Sequence, residues 1–328
     1  MTDKNKTMGL LYLSYGTPRS EEEIIPYLTS IRGRQPSQPE LSSLKRRYDI
    51  IGSFEGGFSP LNEATHKQGQ ALETYLNARG GNYRLYEGYK HLNPSIEEAV
   101  EAMHRDGIEE AVLVAASPFY SALGTADYGR RAKAVADRYG MTIYRVDAWW
   151  NNLAFITCWQ ESIKALGAPG DAYYIFSAHS LPQDIVAMGD PYVGDIGRAT
   201  KQIAQGLGLD HYCQAWQSAP PRGRWMEPKV DQVIQKALDQ GYKHIVIIPL
   251  GFITEHLEVL YDDDVVYREQ IEAGGAHYYR PSMPNDSALL IESMASAVAC
   301  VKRYEYETRS SYWRGPDGPS CRLLFRTS

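Results

Sequence analysis

Residues 241–264 read GYKHIVIIPLGFITEHLEVLYDDD, an apolar run that leads directly into an acid-rich segment. Ile245, Val246, Ile247 and Ile248 form a β-branched stretch ending at Pro249 and Gly251, which predicts a parallel strand covered on both faces. A helix is predicted from Thr254. Along it Glu255, Glu258 and Asp262 recur at spacings of three and four, so their carboxylates share one helical face, while Leu257, Leu260 and Tyr261 supply the apolar side. Like charges stacked in this way repel unless protons or a cation compensate them. Two readings follow: a cation path along the helix, or a solvated acidic face completed by Asp263 and Asp264.

The same order of elements recurs along the chain. Gly9–Tyr15 is an apolar strand that stops at Gly16-Thr17-Pro18, and Ser20 followed by Glu21, Glu22 and Glu23 opens a helix. Further strands are predicted at Tyr83–Tyr89, Ala111–Ala116 and Thr142–Val146, with helices at Pro94–Arg105, Thr125–Tyr139 and Phe155–Leu166. After the break at Gly167-Ala168-Pro169-Gly170 come strand Ala172–Ser177, helix Ile196–Gly206, strand Tyr212–Trp216 and helix Lys229–Gln240. GLLYLSYGTP aligns with YYIFSAHSLP, and EEAVLVAASPFYSALGTADY with KHIVIIPLGFITEHLEVLYDD, so an ancient duplication is the economical explanation. The expected fold is α/β: two similar Rossmann-like lobes, each a parallel sheet flanked by helices, with ligands held in a cleft beyond the carboxyl ends of the strands. The expected division is 7–167 for the first lobe, 168–304 for the second and 305–328 for a tail without regular structure.

Composition narrows the function. The 328 residues are 43% hydrophobic and carry a formal charge of -6, enough for a large core and without the basic footprint that nucleic acid requires. Twenty-four tyrosines and six tryptophans suit amphipathic walls around a flat apolar ligand. The N-terminal apolar run is too short for a signal peptide and no stretch approaches a membrane span, so a cytoplasmic protein is expected. Cys158, Cys213, Cys300 and Cys321 are scattered, without the close spacing of an iron–sulfur or zinc site. No GxGxxG follows the first strand, and neither a Walker loop nor a GxSxG elbow occurs. That points to chemistry by side chains rather than by a permanently bound cofactor. His179, in FSAHSLP, leaves a buried strand where its imidazole can accept a proton or hold a divalent ion with Glu258 as partner.

Seven segments, MGLLYLSYGTP (8–18), GGFSPLNEAT (56–65), KHLNPSIEEAVEAMHRDGI (90–108), FSAHSLP (176–182), AWQS (215–218), IPLGFITEHLEVLYDDD (248–264) and YYRPSMPN (278–285), resemble the ferrochelatases in content and order. Among these they are most similar to the coproporphyrin ferrochelatases of Gram-positive bacteria, over about residues 7 to 304. The resemblance implies insertion of Fe(II) into a porphyrin, with iron as substrate rather than cofactor. It puts the catalytic pair on His179 and Glu258, both binding Fe2+ or taking up protons. Tyr15 matches a tyrosine that contacts the iron of the product. Arg32, Arg47, Tyr48, Ser59 and Tyr128 match positions that hold the porphyrin and its propionates, and His91 and Asp262 match a metal-delivery route.

This chain departs from the family pattern at three places. IRGRQP (31–36) is one residue short, so Arg32 and Arg34 compete for one role; IGSFEGGFSPL (51–61) is longer than the usual lip; Val266 stands where some members continue the acidic line. A monomer is expected, in transient contact with the next haem-pathway enzyme. Tyr15 favours coproporphyrin III over protoporphyrin IX. The alternatives are a cobalt chelatase acting on sirohydrochlorin and a non-catalytic haem- or tetrapyrrole-binding protein.

Overall fold

The computed structural model describes residues 6–52, 59–220 and 222–308. Part of the long lip, 53–58, and residues 309–328 of the expected tail lie outside them, as does Cys321. Among the described residues eight strands form two sheets. In the first, β1 (Met8–Ser14), β2 (Tyr83–Tyr89), β3 (Glu110–Ala115) and β4 (Thr142–Val146) lie in the order β2-β1-β3-β4, and every neighbouring pair is parallel. In the second, β5 (Tyr173–His179), β6 (Tyr212–Gln217), β7 (His244–Ile248) and β8 (His277–Tyr279) lie in the order β6-β5-β7-β8, again all parallel. The two orders are the same, strand for strand, as the internal repeat of the sequence requires.

Continuous apolar strands are what a sheet covered on both sides demands. Leu10, Leu11, Tyr12 and Leu13 are all fully buried although alternate residues face opposite sides, and so are Ile245, Val246, Ile247 and Ile248. Helices supply the cover. In Ile96–Arg105 the buried residues Ile96, Ala99, Val100 and Met103 fall at helical spacing and join one core with Leu11, Leu13 and Leu113. Each large aliphatic side chain buried there contributes roughly 1.5–3 kcal/mol of transfer free energy. This helix starts later than expected from Asn93 and Pro94. Ser95 is the cap: its Oγ accepts from Glu98 N at 3.1 Å, and Glu98 Oε2 accepts from Ser95 N at 2.7 Å.

Several elements had not been expected. Helices Gln38–Ile50, Leu61–Asn77 and Ala288–Thr308 were not read from the sequence, nor was β8, whose three residues are too few for a periodicity signal. Helix Tyr192–Leu207 begins four residues before the expected Ile196. Helix Ala288–Thr308 also runs four residues into the segment 305–328 that had been expected to lack regular structure.

The chain divides into two compact units that are discontinuous in sequence. The first comprises the N-terminus to Gly16, Asn62–Phe155 and the chain from Asp286 onward; the second comprises Thr17–Leu61 and Ile156–Asn285. This differs from the contiguous division at 167/168. Packing explains it: Leu290, Ile291, Met294 and Val298 of the last helix are buried with the first sheet, where Tyr12 Oη lies 3.6 Å from Met294 Sδ. Arg47 of the early helical segment, in turn, is bonded to Asp262 of the second unit. Among the described residues no helix is long and apolar enough to cross a membrane.

Candidate active site

The catalytic candidates converge at the carboxyl end of the second sheet. β5 ends at His179, which is in register with Gln217 at the end of β6, and Ser218 follows at once. Gly251 brings the chain that leaves β7 close to the same edge. Its N–H donates to Ser177 O at 3.0 Å, and a Cβ there would lie 2.6 Å from that of Ala178, so only glycine permits the approach. Seven residues on, Glu258 opens a π-helix, Glu258–Tyr267.

The π-helix corrects the expected geometry in two respects. Residue 255 precedes it, and Glu255 Oε1 instead accepts from Arg280 Nη1 at 3.1 Å, so the row of three carboxylates reduces to Glu258 and Asp262. The acidic segment is also not a solvated face. Asp263 is completely buried, with neither carboxyl oxygen partnered among the described residues, and burial raises its pKa well above the usual carboxylate range. Asp264 takes both arms of Arg280, at 2.8 and 2.6 Å, and the Tyr278 hydroxyl at 2.8 Å. The wide i→i+5 turn, an uncommon form concentrated at functional sites, is thus clamped on one side by Arg280 and presents Glu258 and Asp262 on another.

Three side chains meet these two carboxylates. His179 Nδ1 lies 3.1 Å from Glu258 Oε2. Ser218 Oγ lies 2.9 Å from Glu258 Oε2 and 2.8 Å from Asp262 Oδ2. Arg47 Nη2 donates to Asp262 Oδ1 at 2.8 Å, with its guanidinium 4.8 Å from the Tyr261 ring centre. Tyr192 fixes the strand end by donating its hydroxyl to His179 O at 3.1 Å. Burial opposes charge on His179, but the Glu258 carboxylate outweighs it and raises the imidazole above its ordinary value. Burial likewise opposes charge on Glu258, yet His179 and the Ser218 hydroxyl hold it down to about 2. Asp262 is raised by burial and by the charge of Glu258, which together exceed the opposing pull of Arg47.

One hydroxyl carries one hydrogen and cannot donate to two carboxylates at once, so Ser218 serves Glu258 and Asp262 one at a time. Ser218 also adopts φ 59°, a left-handed conformation costly for a residue with a Cβ. Its role was not read from the sequence. The available signal was AWQS, a strand end lying beside FSAHSLP in the repeat.

The remaining candidates are distributed as follows. In the second unit Arg34 forms two bonds to Glu40, at 3.1 and 2.8 Å, whereas Arg32 only reaches Glu40 at 3.8 Å, so of the two competing arginines Arg32 is the less committed. Tyr48 is enclosed: it is 1% exposed, its hydroxyl is 2.7 Å from Thr17 Oγ1, and burial pushes it up to about 12. Ser59 is buried with its Oγ unpartnered among the described residues. In the first unit the rings of Tyr15 and His91 lie 4.5 Å apart, and burial, aided by Lys90 and Arg131, lowers His91 to about 4, so it is neutral at physiological pH. Tyr128 is buried beneath Lys90, whose Nζ is 5.6 Å from the ring centre. Among the described residues no group of three or more His, Cys, Asp or Glu side chains has the geometry of a metal cage.

The model of the ferrochelatase family matches residues 7–300. This chain belongs to the ferrochelatase family. Among its relatives, the coproporphyrin III ferrochelatase of Geobacillus thermodenitrificans is 42% identical over 305 residues, covering 89% of this chain and 95% of that protein. The coproporphyrin III ferrochelatase of Bacillus subtilis is 41% identical over 305 residues, covering 89% and 97%. Solved structures share the fold at much lower identity. SirB from Bacillus subtilis with Fe3+ aligns with a TM-score of 0.60 at 12% identity, covering 92% of this chain and 97% of that one. The sirohydrochlorin chelatase SirB of Bacillus subtilis subspecies spizizenii, in complex with cobalt, aligns at 0.58 and 11%, covering 92% and 98%. For this family member the two repeated sheets are therefore the chelatase fold.

Proposed function

We propose that this chain inserts Fe(II) into coproporphyrin III, forming four iron–nitrogen bonds as the ring gives up its two pyrrole protons. The observation that carries the reading is the His179–Glu258–Ser218–Asp262 line, in which a base and an anion adjoin at 3.1 Å and a hydroxyl links them to a second carboxylate. Metal insertion needs both a site that attracts a divalent cation and an acceptor for protons. Ionised Glu258 and the unprotonated form of His179 supply a carboxylate and an imidazole nitrogen for the first task, and the imidazole, raised by that carboxylate, takes a ring proton for the second once the metal has left it. Fe(II) is substrate here. On this reading Tyr15 contacts the iron of the product, Arg32, Arg47, Ser59 and Tyr128 bind the porphyrin, and Asp262 and His91 lie on the delivery route. Tyr48, enclosed as it is, acts by supporting its neighbour Arg47. The substrate assignment rests on relatives of about 40% identity that carry this name. The protein acts in the cytoplasm, as a monomer, and contacts the next enzyme of the pathway transiently.

Anaerobic assays with purified protein, Fe(II) and Co(II), and coproporphyrin III, protoporphyrin IX and sirohydrochlorin test the proposal. The expected result is fastest loss of free coproporphyrin III with Fe(II). Metal transfer only into sirohydrochlorin would replace the reading with a cobalt or sirohaem chelatase, and tight haem binding with no insertion into any ring would replace it with a carrier.

A further inference from the structure

A cavity of about 450 Å³ opens on the first unit beside the start of helix Thr125–Ala136, lined by Lys90, Tyr120, Leu123, Asp127, Arg130 and Arg145. No role discussed above uses it. Its charges are unequal. Asp127 Oδ2 is 3.4 Å from Lys90 Nζ, and its Oδ1 also pairs with Arg130 Nη2. Arg145 Nη2 pairs with Asp147, behind the cavity wall. Among the described residues two carboxylates therefore answer the three cations of the lining, and one positive charge is left over.

The arginine is paired with Asp147 and packs against the helix. Residue 129 of the helix is glycine, and a Cβ there would meet Arg145 Nε at 2.4 Å and Cζ at 2.6 Å, so the guanidinium lies across the helix where any other residue would expel it. Among the described residues Asp147 is the only side-chain partner of Arg145, and with Nε packed against the helix at Gly129, Nη1 is left for another acceptor. A guanidinium fixed in this way has lost most of the freedom that binding would otherwise cost. Leu123, half exposed on the rim, offers an apolar edge.

We propose that this cavity binds a carboxylate or an equivalent oxyanion, taken by Arg145, Arg130 and Lys90. The acceptor comes either from a side arm of the ring substrate, in which case the inference rests on the function proposed above, or from a free small anion. Arg130→Ala and Leu123→Asp test it, since both side chains are exposed enough to be replaced without harm to the core; unchanged thermal melting verifies this. Fluorescence titration is made with metal-free coproporphyrin III and with its tetramethyl ester in mild detergent, and calorimetric titration with citrate and with inorganic phosphate. If the ring supplies the group, both variants bind the free acid about tenfold more weakly and the ester unchanged. If a free anion supplies it, the wild type binds citrate or phosphate, both variants lose that binding, and ring affinity does not move. Equal weakening for acid and ester, or no change with any of the four ligands, overturns the proposal. A wild-type protein that binds coproporphyrin III in this charge-dependent way yet inserts no iron would remove the proposed function and leave the pocket standing.

Discussion

At the scale of single residues, the site depends on charges that cannot be judged one at a time. His179 is raised and Glu258 lowered because each is the other's partner in a half-buried setting. The pair stabilises the fold fully below about pH 6.5 as far as His179 is concerned, and that contribution is lost as pH rises through the raised value. Glu258 works in the other direction: its contribution is present above about pH 4.3 and is lost as pH falls toward 2. In Glu258→Gln the imidazole keeps its burial and loses its carboxylate, so its pKa should drop below the ordinary value; NMR titration of His179 reads this, and an unmoved value would refute the coupling. Both His179→Ala and Glu258→Gln should abolish iron insertion and leave porphyrin binding within a few-fold, because the ring is held by other groups. Near-normal turnover in either variant would remove it from the catalytic pair. Ser218 separates strain from function. Ser218→Gly removes the φ 59° penalty and should raise stability by about 1 kcal/mol, while, like Ser218→Ala, it raises the Fe(II) concentration needed for half-maximal rate. Equal Fe(II) dependence in wild type and Ser218→Ala would mean that the hydroxyl does not organise the carboxylates.

At the scale of elements, the π-helix stands because its other acids are taken up. Arg280 has a side chain only 12% exposed and binds both Asp264 and Glu255. Replacing it with alanine leaves two part-buried carboxylates facing each other, a change that costs about 3–5 kcal/mol when one partner of a buried pair is removed. Urea unfolding should register that loss together with a fall in activity, since Glu258 and Asp262 ride on the same helix. A stability change under 1 kcal/mol would show that the clamp is replaceable. The last helix, Ala288–Thr308, makes a parallel case in the first unit. Met294, fully buried with its sulfur 3.6 Å from Tyr12 Oη, should cost about 2–5 kcal/mol as Met294→Ala, whereas a surface helix would tolerate it.

At the scale of the whole molecule, two copies of one topology carry different loads. β1 and β5 occupy equivalent places in their sheets, but β5 ends in His179, and β1 leads into Tyr15, whose ring lies tilted against a neutral His91. Divergence of the repeat is thus concentrated at the strand ends, where a doubly wound sheet offers its side chains to ligands. Substrate choice belongs to this scale, because four propionates ask for more cationic and hydrogen-bonding groups than two. In a competition assay kcat/KM should favour coproporphyrin III over protoporphyrin IX. Equal or better use of protoporphyrin IX would reverse the substrate assignment without touching metal insertion.

The strands were legible in the sequence because burial on both faces leaves unbroken apolar runs such as Leu10–Leu13 and Ile245–Ile248, and the repeat was legible because both halves punctuate those runs alike. His179 and Glu258 were singled out by motif, and the fold brings their side chains together. What the sequence alone did not contain was the winding of Glu258–Tyr267: an i→i+4 and an i→i+5 helix have the same local composition, and only packing around Arg280 and the buried Asp263 selects the wider one. The same holds for Ser218, whose hydroxyl meets Glu258 and Asp262 only in the fold, and for the interleaved units, since a helix far along the chain can cover a sheet built at its start. Local pattern determined which segments are strands and which residues can do the chemistry; tertiary contact decided which carboxylates stand together, because a charge acquires its pKa and its partner only from groups brought near it by the fold.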